Sequence, residues 1–299
     1  MESFINTVNG IVWSPALVCL CLGAGLFLSL RGGFLQLRHL KHMWQLLFQP
    51  KDNVTGVSSF QALSMTLAGR VGTGNIAGVA TAITFGGPGA IFWMWIIAFF
   101  GMATIYAEAT LAIKTRKVDQ EGNIHGGPVY YITTAFQGAF GKFLAGFFAV
   151  AITLALGFMG CMVQSNSIAA TCNTAFGIPT WVMGLLIVFF AGLVFLGGVQ
   201  RLASVTEKLV PIMAVIYLIG GLVVLILNIQ NLPGAFALLF QCAFNPQAEV
   251  GGVTFGIIAA ISQGAKRGLF SNEAGMGSTP HAHALANVKN PHEQGTVAM

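Results

Sequence analysis

Long runs without a charged residue divide this chain. The first apolar segment of this kind covers residues 11–30, another run covers 71–107 with 37 residues, and a further one covers 143–200 with 58 residues. A membrane-spanning helix needs about 20 apolar residues, so the two longer runs must each fold back on themselves. In the run at 71–107, the sequence Gly-Gly-Pro-Gly at 86–89 favours a turn. The pattern therefore predicts several membrane-spanning helices.

Seven crossings account for the whole apolar pattern. The polar stretch SNSIAATCNTAFGIP at 165–179 is predicted to form the bend between two helices. Residues 228–251 contain two prolines and several amides, and we expect an outer loop with an interfacial segment there. The predicted spans are 11–30, 57–85, 89–113, 143–165, 180–199, 209–227 and a last one that starts near 252 and ends near 275.

Composition supports a membrane protein. The chain is 55% hydrophobic and 8% charged, with a mean hydropathy of +0.77, whereas soluble domains carry about 25% charged residues. The net charge of +5 does not indicate a nucleic-acid partner, because no basic run carries interleaved aromatic residues. The expected surroundings are therefore a lipid bilayer.

The distribution of Lys and Arg predicts the orientation. With the N-terminus outside, the outer connections at 86–89, 166–179 and 228–251 contain no Lys or Arg, and eleven of these residues fall on the cytoplasmic side. The eleven are Arg31, Arg38, Lys41, Lys51, Lys114, Arg116, Lys117, Lys142, Arg201, Lys208 and Lys289. We expect a multi-pass protein of the cytoplasmic membrane, with the last residues of this chain in the cytoplasm.

A glycine-rich break lies inside the second predicted span. Arg70 and the sequence GTGN at 72–75 fall at membrane depth, where irregular backbone is tolerated only if it is buried in protein or lines a cavity. The N–H groups freed at the start of the second half-helix favour an anion such as a carboxylate. The carbonyl groups freed at the end of the first half favour a cation. Asn75 adds a neutral oxygen that suits sodium or a substrate ammonium group.

Two other interpretations of GTGNIA are weaker. The sequence matches the dinucleotide fingerprint GxGxxA, but that motif needs a preceding strand and an acidic residue about 20 positions further on, and the next acid here is Glu108. The glycines could also serve close helix packing alone, which would explain Gly78 and Gly101 but not Arg70 and Asn75. An ionisable group beside a break at membrane depth is by default a functional-site hypothesis.

Three long motifs resemble those of one family. The sequences GTGNIAGVATAITFGGPGAIFWMW, GNIHGGPVYYI and RGLFSNEAGMGSTPHAHA are similar to motifs of the alanine/glycine:cation symporters, which are sodium-coupled transporters with a LeuT-like core. The resemblance extends over essentially the whole chain. It implies an all-α membrane protein, a polytopic helical bundle with a partial LeuT-like inverted-repeat core and discontinuous helices.

The resemblance also implies how the chain is organised. Residues 1–299 would form a single transmembrane domain, with an extra N-terminal helix at 11–30, a first core repeat at about 57–229 and the start of a second repeat at about 252–275. The family usually has about eleven spans. The remainder of the second repeat is therefore expected to be absent, and the chain to be a C-terminally truncated fragment.

Site residues follow from the resemblance, because the first and sixth core helices of this fold are unwound at mid-membrane. The substrate carboxylate would meet the amides of Thr73 and Gly74, while Asn75 would bind both sodium and substrate. The backbone carbonyls of Ala68 and Val71 would belong to a second sodium site. The further substrate candidates, for which ordinary interhelical hydrogen bonding is an equal alternative, are Gln164, Ser262, Gln263 and Gly264.

Gating or structural roles are predicted for four more residues, namely Arg70, Glu108, Asn272 and Glu273. Arg70 could pair with either Glu108 or Glu273, and the sequence does not choose between them. Asn272 and Glu273 fit a gate network or a helix-end cap better than ion coordination.

Other residue types suggest structural roles. His281 and His283 have no acidic partner nearby, so no zinc site is expected. No CxxC motif occurs, so the cysteines indicate neither a zinc site nor a redox pair. Cys172 and Cys242 both fall on the predicted outer side and could form a disulfide, although free apolar packing is expected. Trp93 and Trp95, just after the predicted outer turn, are expected to be interfacial aromatics.

The leading functional hypothesis is sodium-coupled symport of a small neutral amino acid, alanine or glycine, across the membrane by alternating access. A glycine-lined site accepts only a small side chain, and sodium is the coupling ion. No enzymatic activity is expected. The alternatives are a transporter of the same fold coupled to protons, an intramembrane enzyme that uses Glu273 with His281 or His283, and a channel-like or regulatory membrane fragment without coupled transport.

Overall fold

The computed structural model describes residues 12–47, 56–245, 247–250 and 253–299, together with Ser3, Thr7, Val8 and Gly10. At Thr73, Gly74, 247–250 and 253–255 it describes the backbone alone. Lys51, which the charge pattern assigns to the cytoplasmic side, lies outside the described residues.

Helices dominate the described residues. They are α1 (Pro15–Arg31), α2 (Leu35–Arg38), α3 (Leu40–Leu47), α4 (Ser59–Arg70), α5 (Thr73–Gly86), α6 (Gly89–Thr115), α7 (Pro128–Ala135), α8 (Ala139–Ile152), α9 (Cys161–Phe176), α10 (Thr180–Phe195), α11 (Gly198–Leu227), α12 (Leu232–Phe244), α13 (Ile257–Asn272), α14 (Thr279–Ala284) and α15 (Pro291–Ala298). A π-helical stretch, Thr153–Gly160, joins α8 to α9, and a 3-10 turn, Ile229–Asn231, precedes α12. Two antiparallel hairpins pair β1 (Lys117–Val118) with β2 (Ile124–His125), and β3 (Gln247–Val250) with β4 (Val253–Gly256).

Three described helical stretches are long and apolar enough to cross a membrane. They are Gly89–Thr115, Ala139–Phe176 and Gly198–Leu227, and shorter apolar helices cover Pro15–Arg31, Asn75–Gly86, Thr180–Phe195 and Ile229–Phe244. Large apolar side chains such as Phe143, Phe190 and Leu225 are exposed on these helices. So dense an apolar surface suits lipid contact better than water. The predicted all-α, polytopic membrane fold is confirmed.

The chain divides into two compact units, each built from three separate stretches. The first unit comprises Met1–His39, Ile76–Ile105 and Leu218–Gly275, and the second unit comprises Leu40–Asn75, Tyr106–Tyr217 and Met276–Met299. The organisation as a single transmembrane domain with one complete and one partial repeat stays a prediction.

In the first unit, α1 and α13 pack on α6. Val18, Ile97 and Leu269, one from each helix, share an apolar core. A Cβ on Gly264 would lie 2.5 Å from the carbonyl oxygen of Ala90, so the close approach of α13 to α6 requires glycine at this position. Small residues thus let these helices pack backbone against backbone.

Trp93 is also held within the first unit. Its Nε1–H donates to the carbonyl of Ala243 at 3.2 Å, and its ring lies 6.2 Å from that of Phe244, centroid to centroid. The interfacial role expected for Trp93 is therefore accompanied by a specific protein contact with the end of α12.

In the second unit, a capping box fixes the start of α4. The hydroxyl of Ser58 accepts from the N–H of Gln61 at 3.0 Å, and Oε1 of Gln61 accepts from the N–H of Ser58 at 2.9 Å. Gln61 also donates to Glu207 on α11 at 2.9 Å. The apolar core around this cap consists of Val57, Ala62, Ile113, Ala203 and Ala286. The start of α4 is thereby fixed by both polar and apolar contacts.

The bend predicted at 165–179 is wrong for most of its length, because α9 continues to Phe176. The hydroxyls of its Ser and Thr residues donate to carbonyls four residues earlier, which satisfies these polar groups inside the helix. The residues that do so are Ser165, Ser167, Thr171 and Thr174. The helix ends where Gly177 adopts a φ of 69°, two residues before Pro179.

Other boundaries differ more modestly. Helix α11 begins at Gly198, eleven residues before the predicted start of that span at 209, so its first turns carry charged residues. The expected interfacial segment within 228–251 is helical and corresponds to α12. All five cysteines, Cys172 and Cys242 among them, are free thiols.

Candidate functional site

The predicted break lies between α4 and α5. Helix α4 ends at Arg70 and α5 begins at Thr73. Val71 leaves the helical conformation, with φ −96° and ψ 81°. The N–H of Asn75 then donates to the carbonyl of Gly72 at 3.1 Å, which opens the next helix. The predicted discontinuous helix is therefore confirmed, with its break at Val71 and Gly72.

Both half-helices direct backbone polar groups toward this break. The N–H groups in the first turn of α5, including those of Thr73 and Gly74, have no acceptor further back in their own helix, and the last carbonyls of α4, which include that of Ala68, have no donor further along it. The N-terminus of a helix carries partial positive charge and the C-terminus partial negative charge. The break can therefore hold an anionic group and a cation close together.

The side chain of Gln164, on α9, lies against the break. A Cβ built on Gly72 would stand 2.7 Å from Oε1 and 2.9 Å from Nε2 of Gln164. Residue 72 can therefore carry no side chain while Gln164 keeps this position. A side-chain amide both donates and accepts hydrogen bonds, so it can meet either end of a zwitterion. The structure thus brings Gln164, one of the four further substrate candidates, to the predicted site.

The other three further candidates lie on α13, which is continuous from Ile257 to Asn272. A Cβ on Gly86, the last residue of α5, would stand 2.8 Å from the Cβ of Gln263. Gly264 packs on α6, which gives a structural reason for glycine there. The unwound stretch expected for the sixth core helix does not include Ser262, Gln263 or Gly264, because the chain leaves the helix only after Asn272. Substrate contacts by these three residues stay predictions.

Asn272 and Glu273 make contacts that end α13. Oδ1 of Asn272 accepts from the N–H of Ala274 at 2.9 Å, and Glu273 adopts a φ of 56°. A left-handed terminal residue and a local side-chain contact of this kind are common ways of ending a helix. Both residues fit the helix-end cap, which is one of the two roles that the sequence predicts for them, the other being a gate network.

Arg70 and Glu108 both reach the segment that leads into α14. Nη2 of Arg70 donates to Oγ1 of Thr279 at 2.8 Å, and Oε1 of Glu108 accepts from the N–H of Gly277 at 3.2 Å. Glu108, one of the two acidic residues considered as partners for Arg70, thus binds the same short segment, 277–279, as Arg70 does.

His281 and His283 have different partners on α14. The ring of His281 stacks on Phe148, with centroids 6.4 Å apart and an interplanar angle of 11°. His283 is fully buried, and Nε2 of Gln294 donates to its Nδ1 at 2.6 Å. Burial and the positive charge of Arg70 lower the pKa of His283 to about 3. Because residues i and i+2 do not face each other on a helix, this pair does not present both rings to one ion.

Sequence interpretation missed the packing of α14 and α15. Gln294 and Thr296 of α15 are completely buried, and Arg116 donates to two carbonyls near the end of α14, at 2.9 and 2.6 Å. Asn290 followed by Pro291 is a helix-start signal that could have located α15. No signal in the neighbouring sequence indicates that the polar residues of α15 are buried.

These features define the class of protein. Several apolar helices suited to a membrane accompany one helix that is broken where polar backbone groups converge. The described helices are consistent with a multi-pass helical membrane protein, and a break of this kind inside such a protein is typical of secondary transporters.

Comparison with known proteins identifies the family. Residues 1–299 match the sodium:alanine symporter family, and the chain belongs to that family. The family is one of transporters, which sets aside the intramembrane-enzyme alternative.

Curated relatives match along nearly all of this chain. It is 47% identical over 297 residues to the "Putative sodium/proton-dependent alanine carrier protein YrbD" of Bacillus subtilis, covering 99% of this chain and 60% of that protein. It is 46% identical over 301 residues to the "Sodium/alanine symporter AgcS" of Methanococcus maripaludis, covering 99% and 66%. It is 40% identical over 299 residues to the "Probable sodium/glutamine symporter GlnT" of Bacillus subtilis, covering 99% and 61%. The chain thus spans less than two thirds of the length of these relatives.

Proposed function

We propose that the protein is a sodium-coupled symporter that carries a small neutral amino acid, alanine or glycine, across the cytoplasmic membrane by alternating access. The observation that supports this most directly is the break at Val71 and Gly72, with the amide of Gln164 against it. Membership of the sodium:alanine symporter family supports the same assignment.

The amino acid binds across the break in this proposal. Its carboxylate accepts hydrogen bonds from the N–H groups of Thr73 and Gly74 at the positive end of α5. Its ammonium group meets the side-chain oxygens of Asn75 and Gln164. The glycine lining of the break favours a substrate with a small side chain, and Gln164 lies 2.7 Å from where a Cβ on Gly72 would stand. Substrate contacts are also proposed for Ser262, Gln263 and Gly264 of α13.

Sodium occupies the negative end of α4. The side-chain oxygen of Asn75 binds the sodium ion beside the substrate, and the carbonyl oxygens of Ala68 and Val71 belong to a second sodium site. All three are hard, neutral ligands of the kind that bind sodium at unwound transporter helices. A bound cation orders the break before the amino acid arrives, which raises the affinity for the amino acid. By linkage, the amino acid raises the affinity for sodium by the same factor. This reciprocal effect is the basis of coupling.

Access to this site alternates between the two sides of the membrane. In the proposal, Arg70 and Glu108 act with Asn272 and Glu273 in gating. The N-terminus lies outside and the last residues of this chain lie in the cytoplasm, in line with the eleven Lys and Arg residues on that side and none in the outer connections.

Proton coupling is the second candidate. The relative from Bacillus subtilis at 47% identity is named as sodium/proton-dependent, so the two ions must be separated experimentally. Another relative is named as a sodium/glutamine symporter, which makes glutamine the appropriate competitor for testing the size limit.

Transport by the protein expressed from its own gene and reconstituted in liposomes tests the proposal. An inward sodium gradient should drive accumulation of labelled alanine above its external concentration, and replacing sodium by choline at constant pH should abolish it. Unlabelled glycine should compete, whereas glutamine should not. Accumulation driven by a pH gradient without sodium would support the proton alternative, and equilibration without accumulation would indicate a channel.

A further inference from the structure

Charged side chains bind the segment that begins α14. The carboxylate of Glu108, from α6, accepts the N–H of Gly277 at 3.2 Å, and the guanidinium of Arg70, from α4, donates to the hydroxyl of Thr279 at 2.8 Å. Thr279 is 2% exposed, so its contact is shielded from water. Hydrogen bonds with an ionised partner are roughly twice as strong as neutral ones. The start of this short helix is therefore firmly attached to two longer ones.

The other end of α14 is held by a third charged residue. Nη1 of Arg116, which directly follows α6, donates to the carbonyls of Ala284 and Ala286 at 2.9 and 2.6 Å. A cation at a helix C-terminus also interacts favourably with the helix dipole. Since α14 has six residues, contacts at both ends leave it little freedom to move independently.

The same segment is attached to both ends of α4. Arg70 is the last residue of α4, and Val57 lies two residues before its first. The N–H of Val57 donates to the carbonyl of Leu285 at 3.0 Å, and the carbonyl of Val57 accepts from the N–H of Asn287 at 2.8 Å. Helices α4 and α14 therefore run in opposite directions and are joined at both ends. A tilt or slide of one against the other would break at least one attachment.

We infer that Arg70, Glu108 and Arg116 are positioning residues for transport. Arg70 joins α14 to α4, and Glu108 and Arg116 join it to the last part of α6, so that these elements move as one body. This inference rests on the proposed function. Arg70 directly precedes Val71, so a displacement of α14 reaches the break without passing through another element. The three charged side chains act through the backbone and the hydroxyl they hold.

The decisive variant is Thr279→Val, which removes the hydroxyl and keeps the shape of the side chain. It should lower the maximal rate of sodium-driven alanine uptake about tenfold, the effect of losing one hydrogen bond to a charged group, while KM changes less than about twofold because no substrate contact is lost. Thr279→Ser keeps the hydroxyl and should restore most of the rate. Thr133→Val is the matched control, because its exposed hydroxyl donates within α7, to the carbonyls of Val129 and Tyr130.

Amide hydrogen exchange of the purified protein tests the attachment independently of transport. Thr279→Val should speed exchange in 279–286 about tenfold, and the effects of Thr279→Val and Arg70→Gln on uptake should be less than additive, since both changes remove the same contact. If Thr279→Val fails to insert, Arg70→Lys, which keeps the charge and loses the planar guanidinium, is compared in the same way. Unchanged uptake and unchanged exchange in these variants would overturn the inference. Absence of uptake by the wild-type protein would instead contradict the proposed function, and the exchange rates would still decide the attachment.

Discussion

The side-chain amide of Gln164 lies directly against the backbone of Gly72, with 2.7 Å between its Oε1 and the place where a Cβ would stand on residue 72. The contact joins α9 to the break between α4 and α5. The atoms that a side chain at residue 72 would meet belong to the flexible end of Gln164 and not to the backbone. A substitution there should consequently displace Gln164 and leave the fold intact.

Gly72→Ala tests this relationship. The added methyl group should displace the amide of Gln164 and lower alanine uptake about a hundredfold, as expected when a substrate-positioning group moves by about 1 Å. The free energy of unfolding should change by less than about 1 kcal/mol, because the side chain can give way. Uptake in liposomes and unfolding in detergent are the two measurements.

Gly78→Ala, in the same half-helix α5, is the matched control. A Cβ on Gly78 would have nothing within 4 Å, so uptake should remain close to that of the wild-type protein. Equal uptake by the Gly72 and Gly78 variants would show that Gln164 does not act at the break.

Gly264→Ala should act on stability. Its Cβ would lie 2.5 Å from the carbonyl oxygen of Ala90 and 2.7 Å from the Cβ of Trp93, and overpacking of this kind costs about 1–3 kcal/mol. The midpoint of thermal unfolding in detergent should fall accordingly. Gly184→Ala, where a Cβ meets nothing within 4 Å, should be neutral or slightly stabilising because alanine favours helix. A Gly264 variant of normal stability but reduced uptake would instead support a substrate role for this residue.

His283 should make stability depend on pH. In the folded protein its pKa is lowered to about 3 from its ordinary value of 6.5, so between these values the unfolded chain binds a proton that the folded protein does not. Stability therefore falls as the pH falls through 6.5 and continues to fall toward 3. The slope attributable to His283 should approach about 1.4 kcal/mol per pH unit.

The comparison is between the wild-type protein and His283→Gln. Between about pH 7 and about pH 5, denaturant unfolding in detergent should show the wild-type protein losing roughly 2 kcal/mol more than the variant. The variant can be less stable at every pH, since it also changes a buried contact, but its slope should be shallower. Parallel slopes would mean that His283 is not held neutral in the folded protein.

The sequence predicts a structural feature correctly where that feature depends on a few neighbouring residues. The GTGN sequence predicts a break next to Arg70, and the helix does stop there, because glycine is a poor helix former. The return helix after the Gly-Gly-Pro-Gly turn was predicted at 89–113 and is found at Gly89–Thr115. Both predictions depend on a few neighbouring residues.

The polar stretch before Gly177 shows where local reasoning fails. Its polar residues predict a bend, yet their hydroxyl groups donate to carbonyls of their own helix, which the residue types alone do not indicate. The contacts of Arg70 with Thr279 and of His283 with Gln294 were also missed. The first pair is 209 residues apart in sequence, and no periodicity or motif carries such a relationship.

Sodium-dependent uptake by Asn75→Ala is the most direct test of the central claim, that the break in the helix holds the amino acid beside the cation. Asn75 is assigned to both, so the variant in liposomes should lose at least about tenfold in uptake at subsaturating alanine and should need more sodium for half-maximal rate. The wild-type protein and Gly78→Ala, measured in parallel, should retain both properties. Uptake by the Asn75 variant with unchanged alanine and sodium dependence would contradict the account.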